Sequence, residues 1–185
     1  MSSFRIIKWL RLDIIVIVIG IYLQPIMAQQ IAIKTNIIAD LGLVPNVGVE
    51  LVVGEKNSLN VELTGTVSKP WRKDIGLTIG GMQYRYWVAQ RSMVQLFIGA
   101  GVKVGSYTYN NPRGLFEADM AMAELTAGYA WPLSKRWNLE FSYGIGILAR
   151  HRHEVPLRID SPVQTGMKYD IATTSIGLNI VYILK

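Results

Sequence analysis

Cysteine is absent from the 185 residues. No disulfide framework, thiolate metal site or cysteine nucleophile is therefore encoded, and a lipoprotein anchor, which needs a cysteine at its cleavage site, is excluded as well. Charge is scarce: only 17% of the residues are Asp, Glu, Lys or Arg, although half are apolar. Long apolar runs are also lacking. Beyond the N-terminus nothing approaches the roughly 18–20 consecutive apolar residues of a membrane-crossing helix, so no helical membrane bundle is encoded. Phosphate loops, dinucleotide fingerprints and a Ser nucleophile elbow are missing too. What the chain does have is glycine (17), tyrosine (9) and tryptophan (5).

The N-terminus reads as an export signal. Arg5, Lys8 and Arg11 make a basic start, Ile14 to Leu23 is an apolar core, Pro25 breaks it and Ala28 supplies a small residue before Gln29. This is the n-, h- and c-region order of a cleaved secretory signal. Cleavage after Ala28 is expected, although Ile26 is not the ideal small residue at its position. The expected division is 1–28 signal peptide and 29–185 barrel domain. Loss of Arg5, Lys8, Arg11 and Asp13 takes the net charge from +6 to +4. That balance, in an exported chain, gives no case for a nucleic-acid partner.

The remainder alternates with a period of two, the signature of strands with two different faces. Eight strands are expected. The first runs from Gln30 to Asp40; the second carries Val47, Val49, Leu51 and Val53 on one face; the third carries Leu59, Val61, Leu63, Gly65 and Val67. The fourth switches parity at Gly80-Gly81, which predicts a bulge there. The fifth alternates Val94 to Val104 against Gln95, Gly99, Gly101 and Lys103. The sixth spans Asp119 to Trp131, the seventh starts at Trp137, and the eighth covers Ala172 to Lys185. About ten residues per strand is the length a tilted strand needs to cross a bilayer, and eight is the smallest usual barrel size. Connections after strands two, four and six are tight, whereas those after one, three, five and seven lengthen to the nineteen polar residues from His151 to Tyr169. Tyr86, Trp87, Tyr129, Trp131, Trp137 and Tyr182 fall on the short-turn rim; Trp71, Tyr107, Tyr109, Phe116 and Tyr169 fall towards the other. Two aromatic belts suit two membrane interfaces.

Alternation alone also describes a lipocalin-like barrel with an apolar interior. The polar parity argues against it, because it combines glycines with both signs of charge: Lys34, Glu50, Glu62, Arg85, Lys103, Glu124 and Glu140. A narrow eight-stranded interior is filled by side chains, and charges buried there must be paired. The expectation is one lumen ion-pair network, an apolar wall facing lipid, and an all-β, eight-stranded antiparallel up-and-down transmembrane β-barrel. Ser175-x-Gly177-x-x-Ile180-x-Tyr182 resembles the terminal-strand signal read by the barrel-insertion machinery. On this reading the last strand pairs with the first, and both termini are periplasmic.

The mature chain resembles the small outer-membrane barrel family of Bacteroidetes known as domain-of-unknown-function family 3575, and more distantly OmpA- or OmpX-type barrels. The matching pieces are Lys34-Thr35-Asn36, Pro45-Asn46-x-Gly48-x-Glu50, Arg85-Tyr86-Trp87, and Gly128-Tyr129-x-Trp131-x-Leu133-x-Lys135-Arg136-Trp137-Asn138-Leu139-Glu140, followed by Gly144-x-Gly146. Many relatives carry a cysteine pair after the seventh strand, which is missing here. The resemblance implies an outer-membrane barrel and no established activity.

Basic residues of the presumed outer loops, Lys69, Arg72, Lys73, Arg113, Arg150, Arg152, Arg158 and Lys168, are candidates for contact with lipopolysaccharide phosphates. A solvated loop has the same composition. His151, Arg152, His153 and Glu154, with Arg158, Asp160 and Ser161, form the one constellation that invites chemistry. His-x-His places two imidazoles on one strand face, but no clear third ligand accompanies them. No metal, cofactor or catalytic residue is assigned. The expected function is an envelope-structural or surface-interaction role, as a monomer, with outer-membrane lipid and a neighbouring surface or secreted protein as partners. The alternative is a lipid A-modifying enzyme or a narrow conduit.

Overall fold

The alternating segments close into one ring. A computed structural model describes residues 30–66, 75–89, 91–111, 114–156 and 165–185, without the side chains of 75, 109–111, 114–116, 152–156 and 165. The elements in order are β1 (Ile31–Asn36), α1 (Ile37–Leu41), β2 (Asn46–Val52), β3 (Asn57–Gly65), β4 (Ile75–Trp87), β5 (Gln95–Asn111), β6 (Gly114–Pro132), β7 (Trp137–Pro156) and β8 (Thr165–Ile183). Each strand pairs antiparallel with the next, and β8 returns to β1 through Ala32↔Ile183 to Asn36↔Asn179. The fold is thus an all-β, eight-stranded, up-and-down closed barrel. No helix among the described residues is long and apolar enough to cross a membrane.

Polarity across the wall is reversed relative to a protein with a dry core and a wet surface. Leu125, Ile147 and Val102 are more than half exposed on the outside. On the inside, Glu50 and Glu140 are 1% exposed and Lys34 and Arg85 3%. The period of two produces this directly, since neighbouring residues of a strand point to opposite faces.

Several local expectations are corrected. The first strand does not reach Asp40. Asn36 ends it by accepting a bond from the Ile38 amide at 3.1 Å, and Asp40 holds Thr35 Oγ1 at 2.6 Å and the Asn46 amide at 3.2 Å. Short polar side chains offer the backbone these local partners and so favour a helical turn over a strand. The predicted bulge at Gly80-Gly81 is absent, because the β3–β4 and β4–β5 registers run through it unbroken. Leu77 and Ile79 change parity because they face the lumen. The register shift lies instead in β8, opposite Gly144/Ile145, where Thr174 is the extra residue and Thr173 turns outward.

The long-loop rim is also rebuilt. Residues 151–156 and 165–171, expected as a loop as far as Tyr169, continue the β7 and β8 ladders, with His151↔Met167 and His153↔Thr165. The segment around Asn110 continues the β5–β6 hairpin to Asn111↔Gly114. Periodicity reports a buried face, and the mixed charges of 150–154 give no such contrast to read. The result is a lopsided barrel, with β5 to β8 of 17–20 residues and β1 to β3 of 6–9.

Candidate functional site

The lumen is the most densely organised part of the molecule, and it is built in layers. At the short-turn end lies an apolar plug of Ala32, Trp87, Met93, Phe97, Ala130, Val181 and Ile183. Trp87 is fully buried there, with its ring centroid 4.8 Å from that of Phe97, and its indole Nε1 donates to Ser58 Oγ at 2.8 Å. This corrects the assignment of Trp87 to an outer aromatic belt: it shares the inward parity of Gln83 and Arg85. Met93 enters the plug from the β4–β5 turn with φ 64°, and its carbonyl accepts a bond from Asn138 Nδ2 at 2.7 Å.

Above the plug sits a four-residue ion cluster. Lys34 Nζ contacts Glu50 Oε2 at 2.8 Å and Glu140 Oε1 at 3.6 Å; Arg85 Nη1 contacts Glu50 Oε2 at 3.1 Å and Glu140 Oε2 at 2.9 Å. Ser58 donates to Glu50 Oε1 at 2.5 Å, and Asn179 Nδ2 donates to Glu140 Oε1 at 2.9 Å. The Arg85 guanidinium also lies 4.3 Å from the Phe97 ring centroid, which couples the cluster to the plug through a cation–π contact. Higher in the lumen, Lys103 Nζ bridges Glu62 at 2.7 Å and Glu124 at 3.3 Å.

The seven predicted lumen residues therefore lie in two clusters. Gln83 joins them: its Oε1 accepts from Arg85 Nε at 2.5 Å, and its Nε2 donates to Glu124 Oε1 at 3.2 Å and Thr126 Oγ1 at 2.7 Å. Neither Gln83 nor Phe97 is singled out by sequence reasoning; the available signal is parity, shared with Arg85 for one and with Gly99 and Lys103 for the other. A polar cavity of about 200 Å³ opens above the first cluster and beside the second, lined among others by Arg85, Gln83, Glu62, Lys103, Ser142 and Ser175. Two buried acceptors in this interior, Asn60 Oδ1 and Thr174 Oγ1, lack a protein partner. Water supplies such partners in polar interiors.

The terminal-strand residues divide between the faces. Ser175 points inward and donates to Glu124 Oε2 at 3.2 Å, and Gly177 is buried. Ile180 and Tyr182 face outward; the Tyr182 ring lies 4.8 Å from Trp137, and its hydroxyl accepts from Arg136 at 3.3 Å. The chain runs on through Leu184, whose amide bonds to the Ile31 carbonyl at 2.7 Å.

The basic rim residues are not gathered into one site. Lys69, Arg72, Lys73, Arg113 and Arg158 lie outside the described residues, as do Asp160 and Ser161. Arg150 pairs with Asp170 across the β7–β8 ladder, and Lys168 is exposed opposite Arg150. Arg152, His153 and Glu154 are placed only by their backbone, which lies in β7 rather than in a loop, opposite Ala118, Glu117 and Phe116. His151 lies opposite Asp119. Among the described residues no group of three His, Cys, Asp or Glu side chains stands ready to hold a metal.

A family model described as "Protein of unknown function (DUF3575)" matches residues 13–184. No curated protein and no solved structure matches the chain.

Proposed function

We propose a function for a chain that belongs to the DUF3575 family, whose description assigns none: it is an integral outer-membrane β-barrel without catalytic activity, serving the envelope or its surface contacts. One observation carries this reading, the reversed polarity of the wall. An exposed apolar belt around a closed barrel has no counterpart in a monomer surrounded by water, where contiguous apolar patches are rare. In a bilayer the belt is solvated by lipid, and strand-to-strand pairing around the ring satisfies the backbone groups of the wall. The aromatic residues at the short-turn end, Tyr86, Trp131, Trp137 and Tyr182, suit the headgroup level of the inner leaflet. The signal-like residues 1–28 and the terminal-strand residues Ser175, Gly177, Ile180 and Tyr182 supply export and insertion on this reading. Both termini are then periplasmic and the tall strands β5 to β8 face the exterior.

The packed lumen supports a structural barrel rather than a conduit. The plug and the ion cluster fill the bore at adjacent levels, so a solute entering the polar cavity meets a closed floor. The expectation is no single-channel conductance in planar bilayers; discrete openings would replace this reading with the conduit. The tall rim, held by backbone pairing rather than by a loop, supports surface contact. Fractionation of producing cells tests the localisation: the protein is expected in the outer membrane, beginning at Gln29. Recovery from the soluble fraction contradicts the proposal. Unchanged lipid A in a deletion strain is the outcome expected of a non-enzyme.

A further inference from the structure

The lumen does not balance its own charge. Glu50 and Glu140 share Lys34 and Arg85, so the lower cluster is neutral. Glu62 and Glu124 share Lys103 alone, so the upper cluster carries one negative charge in excess. Among the described residues, the cations lining the adjoining cavity are Arg85 and Lys103, both already counted. Further up the bore Arg150 is paired with Asp170, and Lys168 is exposed at the rim. A charge left uncompensated inside the wall is costly. Water can solvate hydroxyls there, but it brings no charge.

The oxygens facing the cavity supply ligands. Lys103 holds Glu124 by Oε1, while Glu124 Oε2 accepts from Ser175 at 3.2 Å. That bond uses the Ser175 proton, so the lone pairs of its Oγ stay open. Ser142 is an independent sign of a ligand. It is 7% exposed and lines the cavity, yet its hydroxyl makes no hydrogen bond among the described residues. Buried hydroxyls are ordinarily bonded. The two serines occupy successive inward rungs of the β7–β8 ladder, each opposite a glycine, as Ser142↔Gly177 and Gly144↔Ser175. The glycines keep this patch open. A Cβ on Gly177 would come within 2.6 Å of Ser142 Oγ, and one on Gly144 would run into Ser175 Oγ and lie 3.2 Å from Glu124 Oε2.

The ligating atoms are all oxygens, the donor set of a hard cation. One excess charge matches a singly charged ion. A divalent ion overfills it, and Lys103 beside the site repels that ion twice as strongly.

We propose that this cavity holds one alkali-metal cation, ligated by Glu124 and the hydroxyls of Ser142 and Ser175, which completes the charge balance of the lumen. The site lies inside the closed ring, so the inference stands whether or not the outer wall faces lipid. Glu62, whose side chain is 23% exposed, marks the side open to solvent.

Thermal unfolding of the purified protein, followed by tryptophan fluorescence at constant ionic strength, provides the test. Choline chloride, whose methylated nitrogen cannot take up these ligands, is replaced stepwise by NaCl or KCl. The Tm should rise and level off, as binding to the folded state requires. Ser142→Ala removes a ligand that holds no protein bond. Its Tm in choline should therefore match that of the parent protein, while the half-saturating salt concentration rises about tenfold. Glu62→Gln removes the excess charge. Its Tm in choline should equal or exceed that of the parent, and the response to NaCl and KCl should vanish. Equal Tm in choline, sodium and potassium means that a proton carries the balance, and overturns the inference. A rise that Ser142→Ala leaves untouched, or that CaCl2 produces and NaCl and KCl do not, overturns it too. If Glu62→Gln fails to fold, the Ser142→Ala comparison decides alone.

Discussion

Arg85 shows how much of the barrel rests on single side chains. It touches two glutamates, a glutamine and an aromatic ring from four different strands. Arg85→Met leaves Glu50 and Glu140 with Lys34 as their shared cation. Breaking a buried pair by removing one partner costs about 3–5 kcal/mol, because the other charge stays buried. Urea unfolding from lipid vesicles should register a loss of that order. The coupling through Gln83 is a separate prediction. Arg85→Met and Lys103→Met should be non-additive by about 0.5–3 kcal/mol, and additive once Gln83→Leu has cut the link, as a double-mutant cycle measures. Gly128 gives a steric test: a Cβ there runs into the Phe97 ring and the Phe141 carbonyl, so Gly128→Val should prevent closure at the plug. The seven lumen charges were legible in the sequence because each sits among glycines and small polar residues of one parity. Trp87 was not, because proximity to a turn suggests an interfacial belt, and only its parity with Arg85 says otherwise.

At the level of elements, the lower halves of the strands were readable and the upper halves were not. Below, one face is apolar and the other polar, so the period of two is plain. Above, Arg150, His151, Arg152, His153 and Glu154 of β7 follow one another without contrast, whereas in β8 Met167, Tyr169 and Ile171 alternate with Lys168 and Asp170 but are put out of phase with the lower strand by the extra residue Thr174. Asn36 and Asp40 explain the early end of β1, a side-chain effect that hydrophobic patterning cannot register. The last strand carries a prediction of its own. Ile183 is buried in the plug and its amide bonds to the Arg136 carbonyl at 2.8 Å; the Tyr182 ring packs at a tilt against Trp137. Truncation after Val181 removes both contacts together with Leu184 and its bond to Ile31. Assembly into the outer membrane should fail, leaving the chain to periplasmic degradation. Normal outer-membrane levels of the truncated protein would mean that neither the seam nor the terminal signal depends on these residues.

For the whole molecule, the closed ring, the inward charge and the outward apolar belt form one arrangement, and the proposed membrane function gives it one physical consequence: the protein is expected to be stable where its outside is solvated by hydrocarbon. The absence of cysteine makes this directly measurable, because any single cysteine introduced is the only one to label. Leu125 is 67% exposed on the outer wall, midway along β6. A nitroxide on Leu125→Cys, in the barrel folded into phospholipid vesicles, should collide freely with oxygen dissolved in the lipid and be shielded from a water-soluble nickel complex. Accessibility to the aqueous complex equal to that of a rim label, in a chain that stays monodisperse without detergent, would contradict the account.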